Sequence, residues 1–183
     1  MSHFEQEQKE NKIFTGRILS LSEHTVRLED GSEANREVVH HNGGVCVAAL
    51  DEHNQLLLVR QFRFPAGREL LELPAGKLEK GENPMSAALR ELEEETGHTT
   101  KVLSPLTQML PTPAYCTEVI HIFAASKLSP VPQRLDEGEF LTVERIPLTK
   151  AEQMVLEGEI SDGKTQVGIL LLAARLRGQG VMV

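Results

Sequence analysis

Cysteine is scarce in this chain: Cys46 and Cys116 are the only two in 183 residues. Two thiols make neither a disulfide framework nor a zinc motif, so other forces must hold the fold. Cys46 lies in the apolar run Val45 to Leu50 and reads as a buried reduced thiol, while Cys116 falls in a loop without a partnered base and reads as a spectator. Tryptophan is absent and tyrosine occurs once. Basic residues are also short, with 19 Lys and Arg against 27 Asp and Glu and a net charge of -8. That balance argues against a surface tracking nucleic-acid phosphates, which needs clustered Lys and Arg. A small anionic substrate stays open, because a bound cation reverses the local sign of an acidic pocket. No apolar run reaches membrane-spanning length, and Met1 to Lys12 is polar and charged where a signal peptide has an apolar centre. The expectation is a soluble, cytoplasmic protein with no membrane or nucleic-acid partner. The length suits one domain with modest extensions, and there is no repeat, low-complexity tract or linker to a second domain.

What the chain does have is a crowd of carboxylates bounded by glycines. From Gly76 it runs through Glu82 to Arg90-Glu91-Leu92-Glu93-Glu94-Glu95-Thr96-Gly97. Asn83 can cap a helix, Pro84 suits its first position and Gly97 its left-handed end, so a helix is expected from about Pro84 to Thr96. On it Glu91, Glu94 and Glu95 share one side, with Met85, Ala88, Leu89 and Leu92 as an apolar stripe about a quarter turn away. Like charges four residues apart destabilise an isolated helix by a few tenths of a kcal/mol, roughly, so something must favour the arrangement. A hard divalent cation would, and Mg²⁺ takes oxygen ligands shared between carboxylates and substrate phosphates. The competing reading is a solvated acidic helix face.

These residues resemble the signature of the Nudix hydrolases, which cleave nucleoside diphosphates linked to another group. Gly76, Glu82, Arg90, Glu91, Leu92, Glu94, Glu95 and Gly97 match it; the last position, usually aliphatic, is His98, a departure that bears on packing. The resemblance implies Glu91 and Glu95 as principal metal ligands, the Ala75 carbonyl as another, and Glu94 as a further ligand or supporting group. It implies that Arg90 holds the glutamates and that Glu82 supports the site from the helix start. Mg²⁺ is the implied cofactor, with Mn²⁺ able to substitute.

Along the chain, Lys12 to Leu28 reads as antiparallel strands bent at Gly16, and Asp30-Gly31 as a hairpin turn before a strand from Glu37 to Leu50. Gly43-Gly44 lacks the helix-opening context of a phosphate loop and reads as a strand bend; His40 and His41 before it are assigned no chemistry. Leu56 to Phe62, Leu70 to Leu73, Val102 to Leu110, Glu118 to Ala125 and Phe140 to Ile146 read as further strands. Thr149 to Glu157 and Thr165 to Arg177 read as helices, the second with Val167, Leu170, Leu171 and Ala174 inward. The order points to a layered α/β fold, the α/β/α sandwich with a mixed sheet that the resemblance also implies, preceded by antiparallel strands. Residues 1–40 are expected to be a strand extension used for dimerisation, and residues 41–183 the Nudix domain.

The substrate must be read from the flanks. Leu110-Pro111-Thr112-Pro113-Ala114-Tyr115-Cys116-Thr117-Glu118 resembles the proline-bearing loop of ADP-ribose pyrophosphatases and related nucleoside diphosphate sugar hydrolases. Arg36-Glu37-Val38-Val39, Val59-Arg60-Gln61-Phe62-Arg63 and Leu135 to Phe140 agree in order and spacing. Hydrolysing a pyrophosphate needs an in-line water, a base and cations on the terminal groups. Glu139 is the expected base by resemblance, with Glu137 the alternative. Arg63 and Arg36 are expected near phosphate, Arg36 reaching a neighbouring subunit, with surface arginine the competing reading. Phe14 and Tyr115 could stack on base or sugar, Phe14 equally serving a core. Glu118 could bind metal-bound water or a sugar hydroxyl, or be a plain edge charge. The reading is a Mg²⁺-dependent homodimer acting on ADP-ribose, with GDP-mannose as the runner-up substrate. A nucleotide-sensing domain without hydrolysis is the rival class, disfavoured by the intact glutamates; a triphosphate or RNA-cap hydrolase is disfavoured by the loop and the acidic composition.

Overall fold

The computed structural model describes residues 3–179, which fall into two compact units. The first comprises residues 3–43 with 110–119. Its sheet is an antiparallel meander of β1 (Gln6–Thr15), β2 (Leu19–Arg27) and β3 (Glu33–His41). The β2–β3 connection is built by Asp30, whose carboxylate accepts from the backbone N–H and hydroxyl of Ser32, and by Gly31 at φ 85°, a left-handed value glycine adopts without penalty. β1 starts at Gln6 rather than Lys12. All ten of its residues are exposed, so no alternation of burial marks it, and only pairing with β2 does. The proline-bearing loop docks on β3: Val39 donates to the Tyr115 carbonyl at 2.8 Å, Thr117 donates to the Val39 carbonyl at 2.9 Å, and the His41 N–H donates to Thr117 Oγ1 at 3.0 Å.

The second unit comprises residues 44–109 and 120–179. The strand expected from Glu37 to Leu50 is interrupted: Gly43 takes φ 91°, and β4 (Gly44–Ala49) belongs to a different sheet from β3. That mixed sheet has the order β7-β4-β10-β9, with β7 (Ala75–Lys77) and β4 antiparallel, β4 and β10 (Ile120–Ser126) parallel, and β10 and β9 (Val102–Met109) antiparallel. A second, antiparallel sheet joins β12 (Leu141–Pro147), β5 (Gln55–Arg63) and β6 (Arg68–Glu72). A two-residue pair, β8 (His98–Thr99) with β11 (Ser129–Pro130), completes the strands.

β4 is apolar throughout because helices cover both its faces. Cys46 and Ala48 point into one core with residues of α2 (Leu148–Leu156) and α3 (Gly163–Gly178), among them Leu148, Ala151, Ile169 and Leu172. Val45, Val47 and Ala49 point into the other with Ala87, Ala88 and Leu92 of α1 (Pro84–Thr96). A strand buried on both sides loses the polar alternation of a half-exposed one. Burial also pushes the Cys46 thiol up to about 12, which leaves it an inert core group.

The inward face of α3 differs from the expected one. Thr165, Gly168, Ile169, Leu172 and Ala173 are buried, whereas Leu171 and Ala174 are exposed. Close approach explains the rotation: a Cβ on Gly168 would sit 2.5 Å from Leu73 Cδ1, and the Thr165 hydroxyl accepts from the Leu73 N–H at 2.8 Å. Thr165 and Gly168 set the contact with Leu73, and Ile169, Leu172 and Ala173 continue the buried line.

Candidate active site

α1 presents the carboxylates, and its ends are fixed locally. Asn83 Oδ1 accepts from the Met85 and Ser86 N–H groups at 2.9 and 3.3 Å, a cap whose loss costs about 1 kcal/mol. Gly97, at φ 67°, closes the helix with its N–H on the Glu93 carbonyl. The apolar stripe is narrower than the sequence suggested: Ala87, Ala88 and Leu92 are buried, but Met85 is 44% exposed and Leu89 is half-buried. The two alanines bring the helix backbone close to β4, and Leu92, wholly buried, contributes about 2 kcal/mol to anchoring it. At the end of the box His98 is held by polar contacts, Nδ1 to the Thr96 carbonyl at 2.7 Å and Nε2 to Arg145 at 3.0 Å.

Close packing then seats the glutamates against β7. Glu95, 1% exposed, accepts the Ala75 N–H at 2.8 Å. Glu91 lies over Gly76, where an added Cβ would fall 1.8 Å from Glu91 Oε1, so only glycine leaves room for that carboxylate. Arg90 gathers the rest: it donates to Glu91 at 2.7 Å, to Glu94 at 3.0 Å, and to the two oxygens of Glu82 at 3.2 and 3.3 Å. Glu82 also accepts the Glu79 N–H at 2.9 Å, which ties this end of the cluster to the turn before the helix.

The charge balance of this cluster is incomplete. Burial pushes the Glu95 carboxyl up to about 8; the Ala75 N–H and Arg63 oppose this, and the charges of Glu139 and Glu91 reinforce it. Burial likewise raises Glu91, with Arg90 opposing and Glu94 and Glu139 adding to the rise. Three carboxylates with oxygen donors only, two of them disfavoured as anions, form a site that a hard cation would complete. A stability prediction follows from Glu95. An unfolded glutamate ionises near 4.5, whereas the folded group keeps its proton to about 8. Between those values the native state binds the extra proton, so stability in chelator should fall as pH rises from about 4.5 to 8. Added Mg²⁺ should offset the loss, its increment in Tm growing over the same window; a Mg²⁺ increment independent of pH would contradict this account.

The loop before β12 carries the outlying carboxylates. Glu139 is held in a turn by its own N–H on the Asp136 carbonyl at 3.0 Å and by the Asp136 N–H on Glu139 Oε2 at 3.3 Å, with Gly138 at φ 83°. It borders a cavity of about 450 Å³ shared with Gln61, Phe62, Glu137 and Phe140. Gln61 is 8% exposed, and its side-chain nitrogen is the one buried side-chain polar atom without a hydrogen-bond partner among the described residues. An unspent donor on a residue that lines a cavity suits a ligand acceptor. A single glutamine on a strand carries no spacing signal that would set it apart from its neighbours in the sequence.

Arg63 is committed within the unit: its Nε and Nη2 donate to Glu72 at 2.7 and 2.8 Å, and Lys164 also bonds Glu72. Burial raises Glu72, but the two cations outweigh it and hold its carboxyl below the usual range. Glu72 and Lys164, missed in the sequence, therefore fix the Arg63 fork at the end of β5. The remaining candidates lie in the first unit. Phe14 on β1 and Tyr115 in the proline-bearing loop are 55% and 54% exposed. Arg36 is paired with Glu5 at 2.6 and 3.0 Å, and Glu118 lies 3.3 Å from His41 Nδ1. The same unit holds a Glu/His/His group, Glu10, His24 and His40, whose ligand atoms lie within 4.8 Å of one another and could coordinate a divalent metal.

Comparison with known proteins bears on this arrangement. The family described as NUDIX domain matches residues 40–165. An "ADP-ribose pyrophosphatase" of Bacillus subtilis (strain 168) is 42% identical over 163 residues, covering 88% of each chain. A "Methanol dehydrogenase activator" of Bacillus methanolicus is 39% identical over 166 residues, 90% of each chain. A solved structure described as "Crystal structure of ADP compounds hydrolase" superposes with a TM-score of 0.87 over 97% of each chain at 22% identity, a likeness of fold.

Proposed function

This chain belongs to the NUDIX family, and we propose that within it the protein hydrolyses the pyrophosphate of a nucleoside diphosphate sugar, foremost ADP-ribose to AMP and ribose 5-phosphate, with Mg²⁺. The observation carrying this reading is the intact box: Glu91 seated over Gly76, Glu95 buried on the Ala75 N–H, and Glu94 held by Arg90. The electrostatic cost of burying Glu91 and Glu95 favours a metal-using hydrolase over a sensing domain. The ADP-ribose preference is supported by the Bacillus subtilis relative and by the Leu110 to Glu118 loop. The mixed sheet with helices on both faces is read as the family's α/β/α sandwich.

Glu91, Glu95 and the Ala75 carbonyl would hold Mg²⁺, with Glu94 beside them; when bound, the ion supplies neutralisation of the phosphate oxygens and of the glutamate charge. Glu139 takes a proton from the attacking water, whose oxygen bonds to phosphorus as the bridging P–O bond breaks. Arg63, held by Glu72, offers its guanidinium to phosphate, and Gln61 its unspent amide donor to the substrate beside Glu139. Arg36, Phe14, Tyr115 and Glu118 are assigned to the terminal parts of the substrate. The exposed edge strand β1 and the exposed apolar Ile13, Phe14 and Ile18 support a dimer made through the N-terminal strands. Mn²⁺ should substitute for Mg²⁺.

One experiment tests the reading. The chelator-treated protein is incubated with ADP-ribose, ADP-glucose, GDP-mannose and nucleoside triphosphates, with and without Mg²⁺, and products are separated chromatographically. AMP and ribose 5-phosphate should dominate with Mg²⁺ and vanish without it, and Zn²⁺ should serve poorly at an all-oxygen site. Preferred cleavage of GDP-mannose would move the substrate within the class; cleavage of triphosphates alone would overturn the assignment.

A further inference from the structure

We propose that the N-terminal sheet carries a second cation site, of the zinc class, built from Glu10, His24 and His40 and distinct in residues and donor chemistry from the carboxylate cluster on α1. The strand register creates it. Glu10 on β1 is the direct partner of His24 on β2, and His40 on β3 pairs with Ser20, diagonal to Ser22. Neighbouring partners of this kind lie within side-chain reach on one face of a sheet. His24 is 8% exposed and Ser22 1%, so the site has a buried floor, while Glu10 is exposed at its mouth.

The hydrogen bonds bring two imidazoles to one hydroxyl, that of Ser22, which an ion would displace. Ser22 Oγ is 3.2 Å from His24 Nε2 and 2.5 Å from His40 Nε2, and a hydroxyl has one proton to give. His24 Nδ1 is 3.0 Å from Glu7 Oε2, and an ionised carboxylate only accepts. Nδ1 therefore carries a hydrogen, and in the neutral ring this leaves the Nε2 lone pair on the inward side, toward Ser22. A carboxylate on the outer nitrogen that fixes the tautomer is what a metal-bound histidine characteristically has, and it raises the ring's basicity as a ligand. The rings are not stacked: their centroids are 5.7 Å apart and tilted by 50°. A positive neighbour would oppose a cation here. Arg36, the cross-strand partner of His24 on β3, is paired with Glu5 through two bonds, while Lys12, the partner of Ser22 on β1, also lies on this face and is exposed like the rest of its strand.

The donor set decides the ion. Two imidazole nitrogens with one carboxylate suit zinc and its neighbours in the transition series, whereas Mg²⁺ requires oxygen. Bonds of about 2.0–2.2 Å at a tetrahedral ion place donors roughly 3.3 Å apart. The three atoms, within 4.8 Å of one another, close to that span by rotation of exposed Glu10 and half-buried His40. Such an ion ties β1, β2 and β3 together, which matters most for β1, a strand without a buried residue.

The test uses the full chain, stripped with chelator and dialysed free of Mg²⁺, with the metal alone as probe. Zn²⁺ binding is followed by calorimetry, Co²⁺ by its visible absorption, and unfolding temperature is read with each. The expected result is a site for one Zn²⁺ that raises the unfolding temperature and is retained in Glu95→Gln, which alters the α1 cluster. His40→Gln should weaken it by about a hundredfold or more, and Glu7→Gln by about tenfold, the usual range for an outer partner of a ligand. Glu10→Gln, on an exposed side chain, keeps the test valid if a histidine variant fails to fold. Zn²⁺ binding untouched by His40→Gln and Glu10→Gln, binding lost only in Glu95→Gln, or no binding to the parent chain would each overturn the proposal.

Discussion

Glu95→Gln should leave a folded protein whose kcat is lower by about a hundredfold or more, with an unfolding temperature in chelator no lower than the parent's. The two readouts part because the side chain does two jobs. As a hydrogen-bond acceptor it takes the Ala75 N–H at 2.8 Å, and a glutamine carbonyl keeps that bond. As a charge it is 1% exposed, with burial pushing its carboxyl up to about 8, so ionising it costs the fold stability that a neutral amide does not. What the amide cannot do is supply the ligand charge, and lost ligands and their supports typically cost activity on this scale. The measurement pairs hydrolysis of ADP-ribose with thermal unfolding across pH. The variant should also lose most of the decline in stability between pH 4.5 and 8 that the parent shows in chelator. Activity equal to the parent's would remove Glu95 from the metal site; a variant that unfolds would show that its charge, not just its shape, holds α1 to β7.

The difference between what the sequence revealed and what it hid follows from how far each signal reaches along the chain. The bounds of α1 were legible because Asn83, Pro84 and Gly97 act on their own backbone, and the observed helix spans Pro84–Thr96. The strands β5, β9 and β12 were legible from apolar runs. β1 was misplaced by six residues because an exposed strand has no burial pattern to read. The α3 face was misread because Gly168 and Thr165 approach Leu73, a contact set by the partner's shape rather than by hydrophobic periodicity. The Arg63–Glu72–Lys164 group joins β5, β6 and α3 across a buried carboxylate, and nothing local to any one of them announces the other two. The same holds for Glu10, His24 and His40, one from each N-terminal strand. The histidines were passed over because their neighbours in sequence are not their neighbours in the sheet.

Glu139→Gln should lower kcat by about a hundredfold to ten-thousandfold while moving KM far less, because a general base acts on the attacking water in the transition state and need not hold the ground-state substrate. Its placement supports the choice. The Asp136–Glu139 turn fixes the side chain at the cavity shared with Gln61, and its charge is among those raising Glu91 and Glu95. That coupling gives a readout independent of turnover: removing the charge should ease ionisation of Glu95, so the decline of stability in chelator, which begins near pH 4.5 in both proteins, should be smaller and end at lower pH in the variant than in the parent. Glu137→Gln is the matched control, deleting the same charge from the same loop two residues away. Equal losses in the two variants would make the effect loop electrostatics, and impairment of Glu137→Gln alone would transfer the role to Glu137. Should neither change kcat, the base is to be sought among the box glutamates, and Glu94 is next, since Arg90 holds it at 3.0 Å beside the two glutamates assigned as principal ligands without its being one of them.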